Sequence, residues 1–309
     1  MNRLTLKHLR YFSALAKHGQ FAKAAEACSI SQPAMSQQIR QLEDIVRQPI
    51  LERTGRGFEL TALGRSIADR AAAVLRSVDD LDDFIRSSEG ELSGELRLGV
   101  IPTVAPYLLP QVVKQISRQL PRVDLVLRET ITPTLIDELE NGTLDAAIVA
   151  LPLPGTDFVA TPLFAESFVL VQSEDALGKP VPSIEEIQQM RILLLEEGHC
   201  FRDQALEICE LGEREHRKSM CGSSLTSLVQ MVAAGLGVTR IPEMSAEIEA
   251  RAAPVVMSRL DGVDARRDIG IVWRKSSPLQ EQFLKVADIV RDVALDIYDS
   301  PRLLDRKQA

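Results

Sequence analysis

The sequence predicts a chain of mixed α and α/β class: a small helical head, one long amphipathic helix, and a large body of alternating strands and helices. Three observations predict it. Residues 1–60 hold nine Lys and Arg against five acids, a net of +4, while the whole chain carries −8, which leaves −12 for the remainder. Residues 61–88 repeat apolar side chains at three- and four-residue intervals. From Glu95 onward, short apolar runs alternate with helix-patterned segments, the pattern of βαβ units. A basic head on an acidic body suits a nucleic-acid-binding domain joined to a regulatory one.

In the head, Phe21 to Cys28 is an alanine-rich helix followed by a tight turn at Ser29-Ile30. Ser31 is a natural N-cap, and Pro33 falls in the first turn, where its missing N–H costs nothing. In the next helix, Ala34 to Glu43, the side chains of Met35, Ile39 and Leu42 form the buried stripe. That turns Gln32, Pro33, Ser36, Gln37, Arg40 and Gln41 outward, a face of amides, a hydroxyl and a guanidinium suited to base edges and phosphates. By itself the pattern also fits an ordinary surface helix. Arg53-Thr54-Gly55-Arg56-Gly57 reads as the tip of a hairpin that could touch a DNA backbone.

Thr61 caps the long helix, which runs to about Ser88. Leu63, Ile67, Ala71, Val74, Val78, Leu81 and Ile85 follow one another at coiled-coil spacing. A helix with one such stripe and no core of its own pairs with a copy of itself or packs on its own chain. The run Ser87 to Gly94 is a hinge.

In the body, strands are expected at Leu96–Val100, Val123–Arg128, Ala146–Val149, Phe168–Val171, Ile192–Leu195 and Ile269–Val272. Helices are expected at Ala105–Arg118, Pro133–Glu140 and Leu225–Ala234. Open α/β sheets place ligand sites beyond strand C-termini, where Thr103 and His199-Cys200 fall. The run Leu193 to Gly198 delivers Cys200 to a predicted helix N-terminus beside His199 and Arg202, surroundings that favour thiolate over thiol. Cys209 lies nine residues on. Along an intact helix that is about 13 Å and about 900° of turn, whereas a disulfide needs Cα atoms within about 7 Å. A Cys200–Cys209 bond therefore requires the segment to remodel.

Residues 4–66 resemble the winged helix-turn-helix of the LysR-type transcriptional regulators. The residues that carry the resemblance are Phe21–Ala25, Ser31–Ser36, Gln38–Glu43, Leu51–Thr54 and Thr61–Gly64. It extends over nearly the whole chain and is strongest to the hydrogen-peroxide-sensing members of that family. There it is carried by Ile101–Pro110, by Gly198-His199-Cys200-Phe201-Arg202-Asp203-Gln204-Ala205, by Met231–Gly235 and by Ser276–Leu279. The resemblance implies a DNA-binding domain over residues 1–60 and a dimerising linker helix over 61–90. Residues 91–309 would form a two-lobed, periplasmic-binding-protein-like α/β effector domain. Lobe I would comprise about 91–165 and 269–309, and lobe II about 166–268.

The same resemblance implies Cys200 as the thiol that peroxide oxidises and Cys209 as its disulfide partner. Thr103, Thr132, His199, Asp203 and Arg267 would line the peroxide pocket. Ser31, Gln32, Pro33, Ser36, Gln37, Arg40 and Arg53 would meet double-stranded promoter DNA. It further implies an activator of oxidative-stress genes, a homodimer through the linker helix and a homotetramer beyond it. RNA polymerase would be a partner, and a thioredoxin- or glutaredoxin-type reductant would reset the switch. Neither cofactor nor metal is implied.

Other classes fit less well. No stretch resembles a signal peptide or approaches the roughly 20 apolar residues that span a bilayer, and four cysteines are no disulfide framework. A cytoplasmic chain with reduced thiols is expected. A metal site from His199, Cys200, Cys209 and His216 matches no common zinc spacing. A thiol peroxidase would leave the basic head and the apolar seam unexplained, so the chain is read as a regulator and not an enzyme. The competing reading is a regulator answering a small organic effector between the lobes, with unreactive cysteines. Cys28 reads as a small buried hydrophobe, and Cys221 as inert or as a third thiol.

Overall fold

Thr5 starts the first helix, α1 (Leu6–His18), with a reciprocal cap: its side chain accepts from the His8 N–H, and the Thr5 N–H donates to His8 Nδ1 at 3.2 Å. Gly19 ends α1 in the left-handed region (φ 65°). The coordinates, a computed structural model, describe residues 4–55, 57–87, 93–153, 157–198, 220–260 and 266–299. They divide into two units, Met1–Ile85 and Arg86–Ala309.

In the first unit, α1 packs with α2 (Phe21–Ala27) and α3 (Gln32–Val46). Phe12, Leu15, Ala24, Ala25, Met35, Ile39, Leu42 and Ile50 form a closed core, with half-buried Cys28 against it. Burial raises the Cys28 thiol pKa, which disfavours its thiolate. A hairpin follows, β1 (Leu51–Thr54) and β2 (Gly57–Leu60), antiparallel with Leu51 opposite Leu60. The long helix α4 (Ala62–Ser87) is capped by Thr61, whose Oγ1 accepts from the Gly64 N–H at 2.9 Å. A side chain at Gly64 would put its Cβ 2.1 Å from the Ile50 carbonyl oxygen, so only glycine lets α4 lie this close to the hairpin. Leu63 and Ile67 pack on the head core and Ala71 is buried, whereas Val74, Leu81, Phe84 and Ile85 are exposed. Phe84 widens the apolar seam beyond the residues that the spacing identifies.

The second unit opens with β3 (Gly94–Val100), α5 (Ala105–Gln119), β4 (Val123–Glu129), α6 (Thr132–Glu140) and β5 (Ala146–Leu151). β3 lies between β4 and β5 and runs parallel to both. The uniformly buried run Ala146–Ala150 marks a strand covered on both faces. Next come β6 (Phe158–Ser173), α7 (Ile184–Gln189), β7 (Leu193–Leu195), β8 (Met220–Gly222), α8 (Leu225–Ala233), β9 (Thr239–Pro242), α9 (Glu243–Ala252), β10 (Val255–Ser258), β11 (Arg266–Arg274) and α10 (Gln280–Asp299).

β6 is longer than its sequence suggests, because Pro162 and Glu166 interrupt the apolar pattern that identifies only Phe168–Val171. Pro162 is tolerated where the register with β11 shifts between Ile269 and Gly270. The first part of β6 pairs with β11 up to Ser167 opposite Arg266, and from Phe168 it pairs with β9 and β10. One strand thus serves two sheet regions, which is how the body is built in two lobes. The first carries β3, β4, β5, β11, α5, α6 and α10. The second carries β9, β10, the parallel pair β7–β8, α8 and α9.

Candidate functional site

The head presents its polar face as the sequence predicts. Ser31 caps α3, its Oγ accepting from the Ala34 N–H, and Pro33 sits in the first turn. Ser29 takes the left-handed conformation (φ 54°) that folds α2 back against α3. With Met35, Ile39 and Leu42 buried, Gln32, Pro33, Gln37 and Arg40 are exposed, and Ser36 and Gln41 are half-buried. Gln32, Ser36 and Arg40 line a groove of about 710 Å³ whose opposite wall is Thr54, Gly57 and Phe58 of the hairpin. Phe58 meets Phe21 edge-to-face, centroids 5.3 Å apart, and this contact fixes the hairpin against α2. Arg53 lies on β1, but its side chain is outside the described residues.

A second concave site lies in the body, a cleft of about 310 Å³. Its walls come from the end of β3 (Pro102, Thr103), the end of β4 (Glu129, Thr130, Ile131), the end of β7 (Leu195) and the start of α8 (Ser223 to Thr226), with Pro106 and Tyr107 of α5. This is the strand-end position where α/β sheets hold ligands, and it lies between the lobes. Ser224 caps α8, accepting from the Ser227 N–H at 3.1 Å.

The structure brings Thr103 and Arg267 together. Arg267 Nη1 donates to Thr103 Oγ1 at 2.8 Å, and Nη2 to the Thr103 carbonyl at 3.2 Å. Arg267 in turn pairs with Glu166, directly opposite it across the β6–β11 ladder, through Nε at 2.8 Å and Nη2 at 2.6 Å. Both side chains are wholly buried. Glu166 accepts two more hydrogen bonds on Oε2, from the Met244 N–H at 3.4 Å and the Tyr298 hydroxyl at 3.0 Å. Beside them the Arg267 guanidinium lies over the Phe168 ring, 5.9 Å from its centroid.

Thr132 stands apart from this set. It opens α6 just past the cleft wall, and its buried Oγ1 has no hydrogen-bond partner among the described residues. His199, Cys200, Asp203 and Cys209 lie outside the described residues, as do Arg202 and His216. Cys221 is exposed on β8. Among the described residues no group of three or more His, Cys, Asp and Glu could hold a metal ion, and no helix is long and apolar enough to cross a membrane.

Sequence reasoning missed Glu166, Tyr107 and Glu249. Tyr107 of α5 donates to Glu249 Oε1 of α9 at 2.7 Å, and Thr226 of α8 donates to the same oxygen at 2.9 Å. Burial, and then the hydrogen bond to Glu249, push the Tyr107 phenol far above its ordinary pKa. For Glu166 a signal existed: a lone carboxylate inside the apolar run Phe164 to Phe168.

A helix-turn-helix head followed by a two-lobed α/β domain with an interlobe cleft defines a one-component transcriptional regulator. The chain belongs to the LysR family. Residues 6–65 match the bacterial regulatory helix-turn-helix protein, lysR family, and residues 89–295 match the LysR substrate binding domain. Its relatives include the DNA-binding transcriptional dual regulator OxyR of Escherichia coli K12, 37% identical over 93% of this chain and 95% of that one. Two solved structures are also similar. A cysteine-to-aspartate variant of full-length OxyR from Pseudomonas aeruginosa has a TM-score of 0.74 and 34% identity, covering 94% of this chain and 95% of that one. A hydrogen-peroxide-bound cysteine-to-serine variant of Corynebacterium glutamicum OxyR has a TM-score of 0.65 and 30% identity, covering 96% and 94%.

Proposed function

We propose that the protein is a peroxide-responsive regulator, in which oxidation of Cys200 and its disulfide with Cys209 change how paired heads engage promoter DNA. The observation that carries this reading is the approach of the chain to Cys200. Gly198 has φ +91°, and a Cβ there would come within 2.7 Å of Ile131 Cδ1. β7 therefore brings the chain, two residues before Cys200, against the cleft wall between Thr130 and Thr132. Thr103 shares that wall.

The chemistry runs in three steps. The Cys200 thiolate attacks one peroxide oxygen, the O–O bond breaks, and the other oxygen leaves as hydroxide and is protonated to water. The resulting sulfenic acid condenses with the Cys209 thiol, giving a disulfide and a second water. A dithiol reductant of thioredoxin or glutaredoxin type returns both thiols by exchange. Thr103 offers its hydroxyl to the peroxide with Arg267 behind it, and the resemblance assigns Thr132, His199 and Asp203 to the same pocket. One oxidation per switching event suffices, so the chain acts as a sensor.

The exposed seam of Val74, Leu81, Phe84 and Ile85 supports a homodimer through α4, and tetramers and contact to RNA polymerase belong to the same proposal. Two heads on a two-fold axis fit an imperfectly palindromic operator, met through Ser31, Gln32, Pro33, Ser36, Gln37, Arg40 and Arg53. A second reading, a small organic effector held in the 310 Å³ cleft, draws on the hydroxyls that line it.

Peptide-mapping mass spectrometry on thiol-blocked protein, before and after one equivalent of hydrogen peroxide, tests the proposal. The expected result is a rapid Cys200–Cys209 link that Cys200→Ser abolishes. Oxidation of Cys200 no faster than that of Cys28 or Cys221 would overturn it and leave the cleft effector as the reading to pursue.

A further inference from the structure

The geometry points to Glu166 as a positioning residue for peroxide, one that fixes the polarity of the Thr103 hydroxyl through Arg267; this rests on the peroxide reading above. A threonine hydroxyl can donate or accept, and at a peroxide site the difference matters, because the O–O bond breaks more readily when its departing oxygen receives a hydrogen bond. Here Arg267 Nη1 donates to Thr103 Oγ1 at 2.8 Å. Since guanidinium only donates, it occupies a lone pair and leaves the Thr103 O–H hydrogen to point elsewhere. Thr103 lines the cleft, so with one lone pair taken by Arg267 its hydroxyl is biased to donate to an oxygen bound there.

Arg267 keeps this orientation because of Glu166. Glu166 Oε1 accepts from both Nε and Nη2, which leaves Nη1 for Thr103. The carboxylate is itself held from the other side by the Tyr298 hydroxyl of α10 and by the Met244 N–H at the start of α9. All four of these groups are donors. A glutamine amide at this position would turn its own N–H groups on donors in either flip, so Gln is no substitute although its shape is the same. The relay therefore reads Tyr298 and Met244 to Glu166, Glu166 to Arg267, Arg267 to Thr103, and Thr103 to peroxide. It joins the C-terminal helix to the reacting oxygen without touching it.

The test uses the full-length reduced protein and measures the second-order rate constant of Cys200 oxidation by hydrogen peroxide, alongside Cys200 alkylation by iodoacetamide. Alkylation needs the thiolate but no oriented peroxide. Tyr298→Phe is expected to slow peroxide oxidation about two- to tenfold, and Glu166→Gln about 10- to 100-fold, with alkylation changed less than about twofold. In a Thr103→Val background, which lacks the hydroxyl, both substitutions should lose most of their effect on oxidation. Equal slowing of oxidation and alkylation, or effects that multiply with Thr103→Val, would overturn the relay. Tyr298→Phe keeps the ring that packs against Phe164, 5.8 Å between centroids, so it carries the test if Glu166→Gln does not fold. A wild-type Cys200 that peroxide does not oxidise rapidly would instead overturn the peroxide reading itself.

Discussion

Arg40→Ala separates a DNA-reading helix from an ordinary solvated one. Arg40 is exposed on α3, on the wall of the groove between helix and hairpin, and has no hydrogen-bond or ion-pair partner among the described residues. Truncating it removes no hydrogen bond or ion pair among the described residues, so stability should change by less than about 0.5 kcal/mol. Its effect on DNA is larger. Each phosphate contact contributes about 0.9 to the slope of log K against log salt, and a dimer presents Arg40 twice, so the slope should fall by about 1.8. Between about 50 and 200 mM salt that shrinks the change in Kd roughly twelvefold. If Arg40 reads a guanine edge instead, the loss is about 1–3 kcal/mol per half-site and appears only on the specific operator. Fluorescence anisotropy on a selected operator and on a random duplex, each over a salt series, distinguishes the two. Lys114→Ala, an exposed cation on α5, is the control and should alter neither. Unchanged Kd and slope on every duplex would refute the assignment of this face to DNA.

Other substitutions probe the rest of the molecule. Tyr107→Phe should destabilise the body by about 1.5–3 kcal/mol in urea unfolding near neutral pH, because it removes a buried hydrogen bond to a carboxylate; no change would mean that Glu249 is held by other groups. Because the folded-state pKa of Tyr107 lies above its unfolded value of about 10, this contribution is complete below pH 10 and declines as pH rises further, so the variant should show a shallower alkaline loss of stability. Leu81→Glu combined with Ile85→Glu should leave the monomer folded, since both are exposed, but abolish the dimer in analytical ultracentrifugation; an intact dimer would move the interface off α4. Gly64→Ala should lower the thermal transition of the head, because its Cβ meets the Ile50 carbonyl, and an unchanged melting profile would show that α4 can shift without loss.

Legibility followed locality. The Ser31 cap, the Met35–Ile39–Leu42 stripe and the Thr61 cap are contacts within a few residues, and sequence spacing expresses them directly. The β3 and β4 strands were readable for the same reason. The Thr103–Arg267 bond spans 164 positions and the Arg267–Glu166 bond 101, so no local pattern announces either. Resemblance could name Arg267, yet only the folded ladder sets Glu166 opposite it. The extent of β6 was hidden because its proline sits at a register shift and its glutamate has a buried partner, two features that break the alternation a strand normally shows. Tyr107 and Glu249 are 142 residues apart and meet only because α5 and α9 face each other across the lobes.

The continuity of β6 limits how the body can move. A hinge made of loops permits sliding, opening and twisting, each at small cost. Here one backbone belongs to both sheet regions, hydrogen-bonded to β11 on one side of Ser167 and to β9 and β10 on the other. Sliding one lobe along the other would break ladder hydrogen bonds, whereas rotation about the strand axis near Ser167 spares the ladders and strains chiefly the side-chain bonds between the lobes, such as Tyr107 to Glu249. Through this strand, a twist is the softest of these motions. A change at the cleft that bears on both lobes would then leave the body as a change of angle between them.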